Sequence, residues 1–214
     1  MSPTLRSLLE SKEASLETVA GLLDPLTDKE RYEALQTLRR THQRRLYLLA
    51  QESSPLELKD LVTESAPALQ WVRHLGVNTL PVPSFLRLFE KRFFRPEGAP
   101  GQLCGYNEGA SRPLIGPGYF VAYPTKGNAA WASRGDLVVD YFQVPQGPLP
   151  KEAPRLVPNT HGLQRFVYHG TRDFLRKVCN GVSIGAAYKG EKALDHYFTL
   201  CRVSSGAELP RDFR

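Results

Sequence analysis

The chain lacks the features that mark membrane, secreted and metal-dependent proteins. Its 214 residues hold no apolar run near the roughly 18 that a membrane helix needs. The opening residues, Met1-Ser2-Pro3-Thr4-Leu5-Arg6, lead into Glu10, Lys12 and Glu13, and those charges exclude the apolar centre of a secretory signal. A cytoplasmic location is the expectation that follows. The three cysteines, Cys104, Cys179 and Cys201, are odd in number, widely spaced and free of any CxxC pair. They read as buried free thiols rather than a disulfide frame. There is no internal repeat and no low-complexity segment.

Catalytic signatures are missing too. No GxGxxG follows a first strand, and no P-loop, GxSxG or HExxH occurs. Tyr188 and Lys192 have the spacing of a dehydrogenase pair, but Lys189-Gly190 puts a turn between them. Gly116-Pro117-Gly118 lacks the third glycine of a phosphate loop, and its proline removes an N–H. Arg134-Gly135-Asp136 is a turn. His161, His169, Cys179 and Cys201 show no tight ligand spacing, so neither a metal nor another cofactor is expected.

What is present is a core-forming composition, 41% hydrophobic, with a formal net charge of +6. Residues 1–100 hold 14 Lys/Arg against 13 Asp/Glu, and residues 101–214 hold 14 against 9, so the excess lies in the second half. It is dispersed, and favours anionic partners as readily as it favours solubility.

The first region, residues 1–95, reads as helical. A short helix starts at Ser15 and ends at Asp24-Pro25. Thr27-Asp28-Lys29-Glu30 is a capping box, opening a helix to about Gln51 with Tyr32, Leu35, Leu38, His42, Leu46 and Leu49 on one stripe. Ser54-Pro55-Leu56-Glu57 reads as a second box. Further helices are expected over Pro67–Leu75 and Phe85–Phe94. The second region, residues 96–214, follows strand rules. Tyr119–Tyr123, Leu137–Val144, Leu163–His169, Val182–Tyr188 and Leu194–Val203 are expected strands, the last two joined at Lys189-Gly190. One short helix, Arg172–Cys179, is expected between them, and short strands at Leu103–Tyr106 and Leu114–Ile115. The fold class is therefore α+β: a helical block on an antiparallel, curled, barrel-like sheet, with one short helix between its strands and the two regions expected to form one compact unit.

Several strands are apolar on both faces. In Leu137–Val144 one face carries Leu137, Val139 and Tyr141, and the other Val138, Phe142 and Val144. Such a sheet needs two coverings: the helices, and either the inside of a partial barrel or a second subunit. In layout this half is similar to small ligand-holding barrels such as the lipocalins.

Three groups of residues are candidates for chemistry. Asp140 sits mid-strand; it is solvated, or paired with Arg165 or Arg172, or a catalytic acid. His169 and Asp173 form an acid–base pair if they meet, while Asp173 alone suits a helix start. Arg172 and Arg176 can bind a carboxylate or phosphate if they are not simply solvated. Tyr119, Tyr123, Tyr141, Tyr168, Tyr188 and Tyr197 supply a cavity with apolar walls and hydroxyls, or pack a solid sheet.

The favoured reading is a binding protein for a small amphipathic ligand held by Tyr119, Tyr123, Tyr141, Arg165, Tyr168, Arg172 and Tyr188. The alternatives are an interaction protein docking a partner through its basic N-terminal helices, and an enzyme using Asp140, His169 and Asp173; a homodimer would cover the far side of the sheet. Nucleic acid is the least favoured partner.

Overall fold

The computed structural model describes residues 4–204. It is an α+β fold in which an N-terminal helical block packs on a closed antiparallel barrel. The block comprises α1 (Leu5–Glu10), α2 (Leu16–Leu23), α3 (Asp28–Gln36) and α4 (Arg40–Leu49), and the shorter α5 (Leu58–Leu61) follows. Among the described residues no helix is long and apolar enough to cross a membrane.

Local capping fixes where these helices start. The Glu30 amide donates to Thr27 Oγ1 at 3.3 Å while the Thr27 amide donates to Glu30 Oε2 at 2.9 Å, the expected box. Ser15 and Thr18 make the same exchange at the start of α2. The long helix expected from Thr27 to Gln51 is two. Thr37 turns its hydroxyl back onto Ala34 O at 2.7 Å, and Arg39 is extended, so the chain bends between α3 and α4. The bend lets Leu35, Leu38 and Leu46 enter one core. The box expected at Ser54–Glu57 does not form. Leu56 instead donates its amide to Asp136, and Glu57 becomes the cap of α5.

The barrel strands run in chain order: β1 (Val72–Asn78), β2 (Leu88–Phe94), β3 (Leu103–Glu108), β4 (Phe120–Pro124), β5 (Leu137–Asp140), β6 (Thr171–Cys179), β7 (Val182–Lys189) and β8 (Lys192–Arg202). Each pairs antiparallel with the next, and β8 closes on β1 with Gly76 opposite Leu200. Closure leaves no free sheet edge. Short helices lie in three connections: α6 (Arg112–Ile115), α7 (Ala129–Ala132) and α8 (Gln164–Val167).

Four expected elements change type. Pro67–Leu75 gives way to β1. Phe85–Phe94 is a single 3-10 turn, Ser84–Arg87, followed by β2. Arg172–Cys179 lies in β6, and Leu163–His169 contains α8. For the first three the reason is shared: these stretches are apolar at both three- and two-residue spacings, and barrel closure selects the spacing of two. Leu163–His169 falls in the β5–β6 connection, outside the ladder. Leu114–Ile115, expected as a strand, falls in α6.

Strand alternation then divides the apolar residues into layers. Leu75, Val77, Val178, Val182, Ile184 and Ala186 point outward and pack against α1–α4. Phe93, Leu103, Phe120, Leu137, Val139, Leu175 and Leu200 point inward, and Leu56, Leu61 and Val62 close that end of the barrel. A third cluster of Phe94, Cys104 and Val121 lies under Trp71 and Leu149. Both faces of the sheet are therefore dry, one against helices and loops and the other against the barrel's own interior.

Candidate functional site

One half of the barrel is packed and the other is hollow. Around its middle, Phe89 of β2 and Phe198 of β8 lie across Gly76 and Gly185, their cross-strand partners. A Cβ on Gly76 would come within 2.5 Å of the Phe89 ring, and one on Gly185 within 2.2 Å of the Phe198 ring. The two glycines give the rings room to meet, at 5.9 Å between centroids. Above them opens a cavity of about 220 Å³, at the end of the barrel formed by the β1–β2, β3–β4, β5–β6 and β7–β8 connections.

Lys91, Asn107, Tyr141 and Asp173 converge on the floor of this cavity, delivered by β2, β3, the residue after β5, and β6. Lys91 Nζ donates to Asn107 Oδ1 at 2.9 Å and to the Tyr141 hydroxyl, and lies 3.1 Å from Asp173 Oδ2. Its three protons thus have three acceptors. The Tyr141 hydroxyl accepts from Lys91 and from Asn107 Nδ2, and donates to Asp173 Oδ2 at 3.2 Å. Asn107 is held in turn by Gly118 O, at 3.1 Å from its Nδ2. The rings of Phe120, Tyr141 and Phe198 stand 5.0 to 5.1 Å from Nζ, and Phe89 at 5.8 Å.

Burial governs the electrostatics of this group. Lys91 is 2% exposed and Asp173 6%. Loss of water pulls the Lys91 ammonium below the usual lysine range, and the Asp173 carboxylate opposes that pull. Burial, with the Asp173 charge added to it, pushes the Tyr141 phenol well up. Tyr168 stacks on Tyr141 at 5.2 Å and is raised by burial as well. Both phenols remain protonated donors at neutral pH.

The walls above the floor are mostly apolar: Leu80, Leu86, Phe89, Ile115, Val167 and Leu194. His196 also lines the cavity, and its Nδ1 is buried without a hydrogen-bond partner. Around the mouth the apolar character continues outward. Of nine large apolar side chains left exposed among the described residues, eight lie in the connections at this end: Leu80, Val82, Phe85, Leu114, Phe142, Leu163, Phe166 and Val167.

The residues singled out from the sequence divide between the two faces of the barrel. Tyr141, Tyr168 and Asp173 line the cavity, and Tyr197 lies at its edge. Tyr119 is on the outer face and donates to Pro154 O at 2.6 Å. Tyr123 is also outside, donating to Asp140 Oδ2 at 2.7 Å. Asp140 is buried there, accepts from the Phe142 amide at 2.9 Å, and lies 3.3 Å from Arg172 Nε, its cross-strand neighbour. Arg172 also covers the rings of Phe142 and Trp131. Tyr188 packs on Phe174 and Arg134. Arg165 is exposed and lies over Phe166. His169 is exposed beside Phe142, on the side away from the interior where Asp173 sits. Arg176 donates to Tyr47 O and Ser133 O, tying the barrel to α4.

Lys91 and Asn107 were not singled out from the sequence. At a spacing of two, Leu88–Phe94 sets Lys91 between Phe89 and Phe93 on one face, a cation among rings. That signal vanishes when the same stretch is read as a helix. Asn107 follows a Gly/Pro-rich stretch and carries no local signal. No family model, no curated protein and no solved structure matches the chain.

Proposed function

We propose that this protein binds a small amphipathic molecule in the open half of its barrel, with the polar end of the ligand on Lys91, Asn107, Tyr141 and Asp173. The observation that carries the reading is the convergence of these four groups at the base of an otherwise apolar cavity, the usual division of labour in a small-molecule site. Because Lys91 and Asp173 neutralise each other, the floor suits a neutral polar end such as a carbonyl, hydroxyl or amide. A bare charge would be left uncompensated there. A cavity of about 220 Å³ admits one ring with a short chain.

The test is titration with N-phenyl-1-naphthylamine, a neutral fluorophore without a carbonyl. The expected result is saturable blue-shifted emission at one site per chain, abolished by Ala187→Trp, which fills the cavity from β7. Non-saturable emission, or emission unchanged in that variant, would overturn the reading.

A further inference from the structure

We propose that Lys91 is a nucleophilic amine that condenses with an aldehyde or ketone bound in the cavity, forming an imine. This rests on the binding reading above and adds covalent chemistry to it. Lys91 is the one lysine among the buried residues of the described chain, and it lines the cavity. A buried ion pair kept only for structure gains nothing from a void beside it; apolar side chains would fill the place at least as stably.

The neighbours supply the proton transfers that imine formation needs. Asp173 takes a proton from the Lys91 ammonium across 3.1 Å, freeing the nitrogen lone pair. That pair attacks the carbonyl carbon. A C–N bond forms, and the C=O π electrons move onto oxygen. The Tyr141 hydroxyl gives its proton to this oxygen as it receives one from the new N–H, leaving a neutral carbinolamine. The Asp173 acid then protonates the hydroxyl, which departs as water while the nitrogen pair closes the C=N bond. The iminium cation is left paired with the Asp173 carboxylate. One carbonyl compound is consumed, one water is released, and no oxidant or reductant is needed. Asn107 aims the amine by accepting one of its protons. An ordinary lysine is neutral in only about one molecule in 2,500 at pH 7. Desolvation raises that fraction at Lys91.

The experiment uses 1-phenyl-1,3-butanedione, whose vinylogous amide with a lysine absorbs in the near ultraviolet. At neutral pH the expected result is one adduct per chain, of diketone mass less water, on the peptide carrying Lys91. Asp173→Asn should slow its formation by roughly a hundredfold, and Lys91→Arg should abolish it. Because either variant can fold poorly, the wild-type peptide map decides first. Adducts spread over surface lysines, or none at all, would overturn the proposal. If the diketone displaces the naphthylamine without forming an adduct, covalency fails while the binding reading stands.

A second observation is independent of Lys91. The exposed apolar rim coincides with positive charge. The connections at this end carry Arg87, Arg112, Arg155, Arg165, Lys189 and Lys192 against Glu191 and against Glu108, which lines the cavity and pairs with Arg112, a net of +4. We infer that this end docks on an anionic bilayer, Phe85, Leu114 and Phe166 entering the interface and the basic groups meeting the headgroups. Each basic residue near such a surface contributes about 1 kcal/mol, within a Debye length. Flotation with phosphatidylcholine vesicles, with and without phosphatidylserine, tests it. Binding should require phosphatidylserine, weaken with salt, and fall at least tenfold in Phe85→Ser/Phe166→Ser and in Arg155→Glu/Arg165→Glu. No flotation, or flotation indifferent to these changes, would sink it. So would a dimer that the serine variant dissolves in the absence of vesicle binding, since a second copy would then cover the rim.

Discussion

Replacing Lys91 by Met keeps the length of the side chain and removes its charge. Asp173 is then left in the barrel with the Tyr141 hydroxyl donating to it. Stranding one member of a buried pair costs about 3–5 kcal/mol. Asp173→Leu strands the ammonium instead, although the rings 5.0 to 5.8 Å from Nζ return part of its lost solvation. Removing both charges leaves nothing stranded, and Tyr141 can turn its proton to Asn107 Oδ1, 3.3 Å away. Lys91→Met/Asp173→Leu should therefore unfold within about 1 kcal/mol of the wild type, or above it. Urea denaturation of the four proteins at pH 7 gives the coupling energy, expected at about 3 kcal/mol or more. Acidification should relieve the Lys91→Met protein relative to the wild type, because a stranded carboxylate escapes its penalty by taking a proton. Single replacements costing under about 1 kcal/mol each and simply adding would refute this account; they would mean that cavity water solvates the pair.

Other outcomes follow from the same structure. His74 donates Nε2–H to Leu61 O at 2.9 Å, its Nδ1 has no partner, and burial holds its pKa at about 4. The unfolded chain takes up this proton near pH 6.5 and the folded chain only near pH 4. Stability should therefore fall by roughly 3 kcal/mol between those values; a wild-type pH profile no steeper than that of His74→Gln would contradict it. Gly185→Ala should cost about 1–3 kcal/mol by driving Phe198 off its site, and an unchanged melting temperature would contradict that. Burial pushes Cys104 up to about 11 and Cys179 and Cys201 up to about 12, so a thiol-disulfide reagent at pH 8 should label none before denaturant is added. Rapid labelling of the native protein would contradict the burial of these thiols.

The sequence by itself determined whatever depends on neighbours along the chain. The Thr27–Glu30 box, the Lys189-Gly190 turn and the alternation of Leu137, Val139 and Tyr141 each depend on residues a few positions apart, and each appears as read. The antiparallel sheet and its two dry faces follow from such patterns. Tertiary structure decided the rest. Val72–Asn78, Leu88–Phe94 and Thr171–Cys179 are apolar at both periodicities, and only closure of the barrel, with its long-range ladder, settled them as strands. That choice then sorted the polar residues. It turned Asp140 outward to Tyr123 and Arg172, and Asp173 inward to a lysine 82 positions away in the chain. A pair so far apart in sequence leaves no local trace, because the burial that shifts Lys91, and the Asp173 charge that opposes it, exist only when the first and second halves of the chain close one wall.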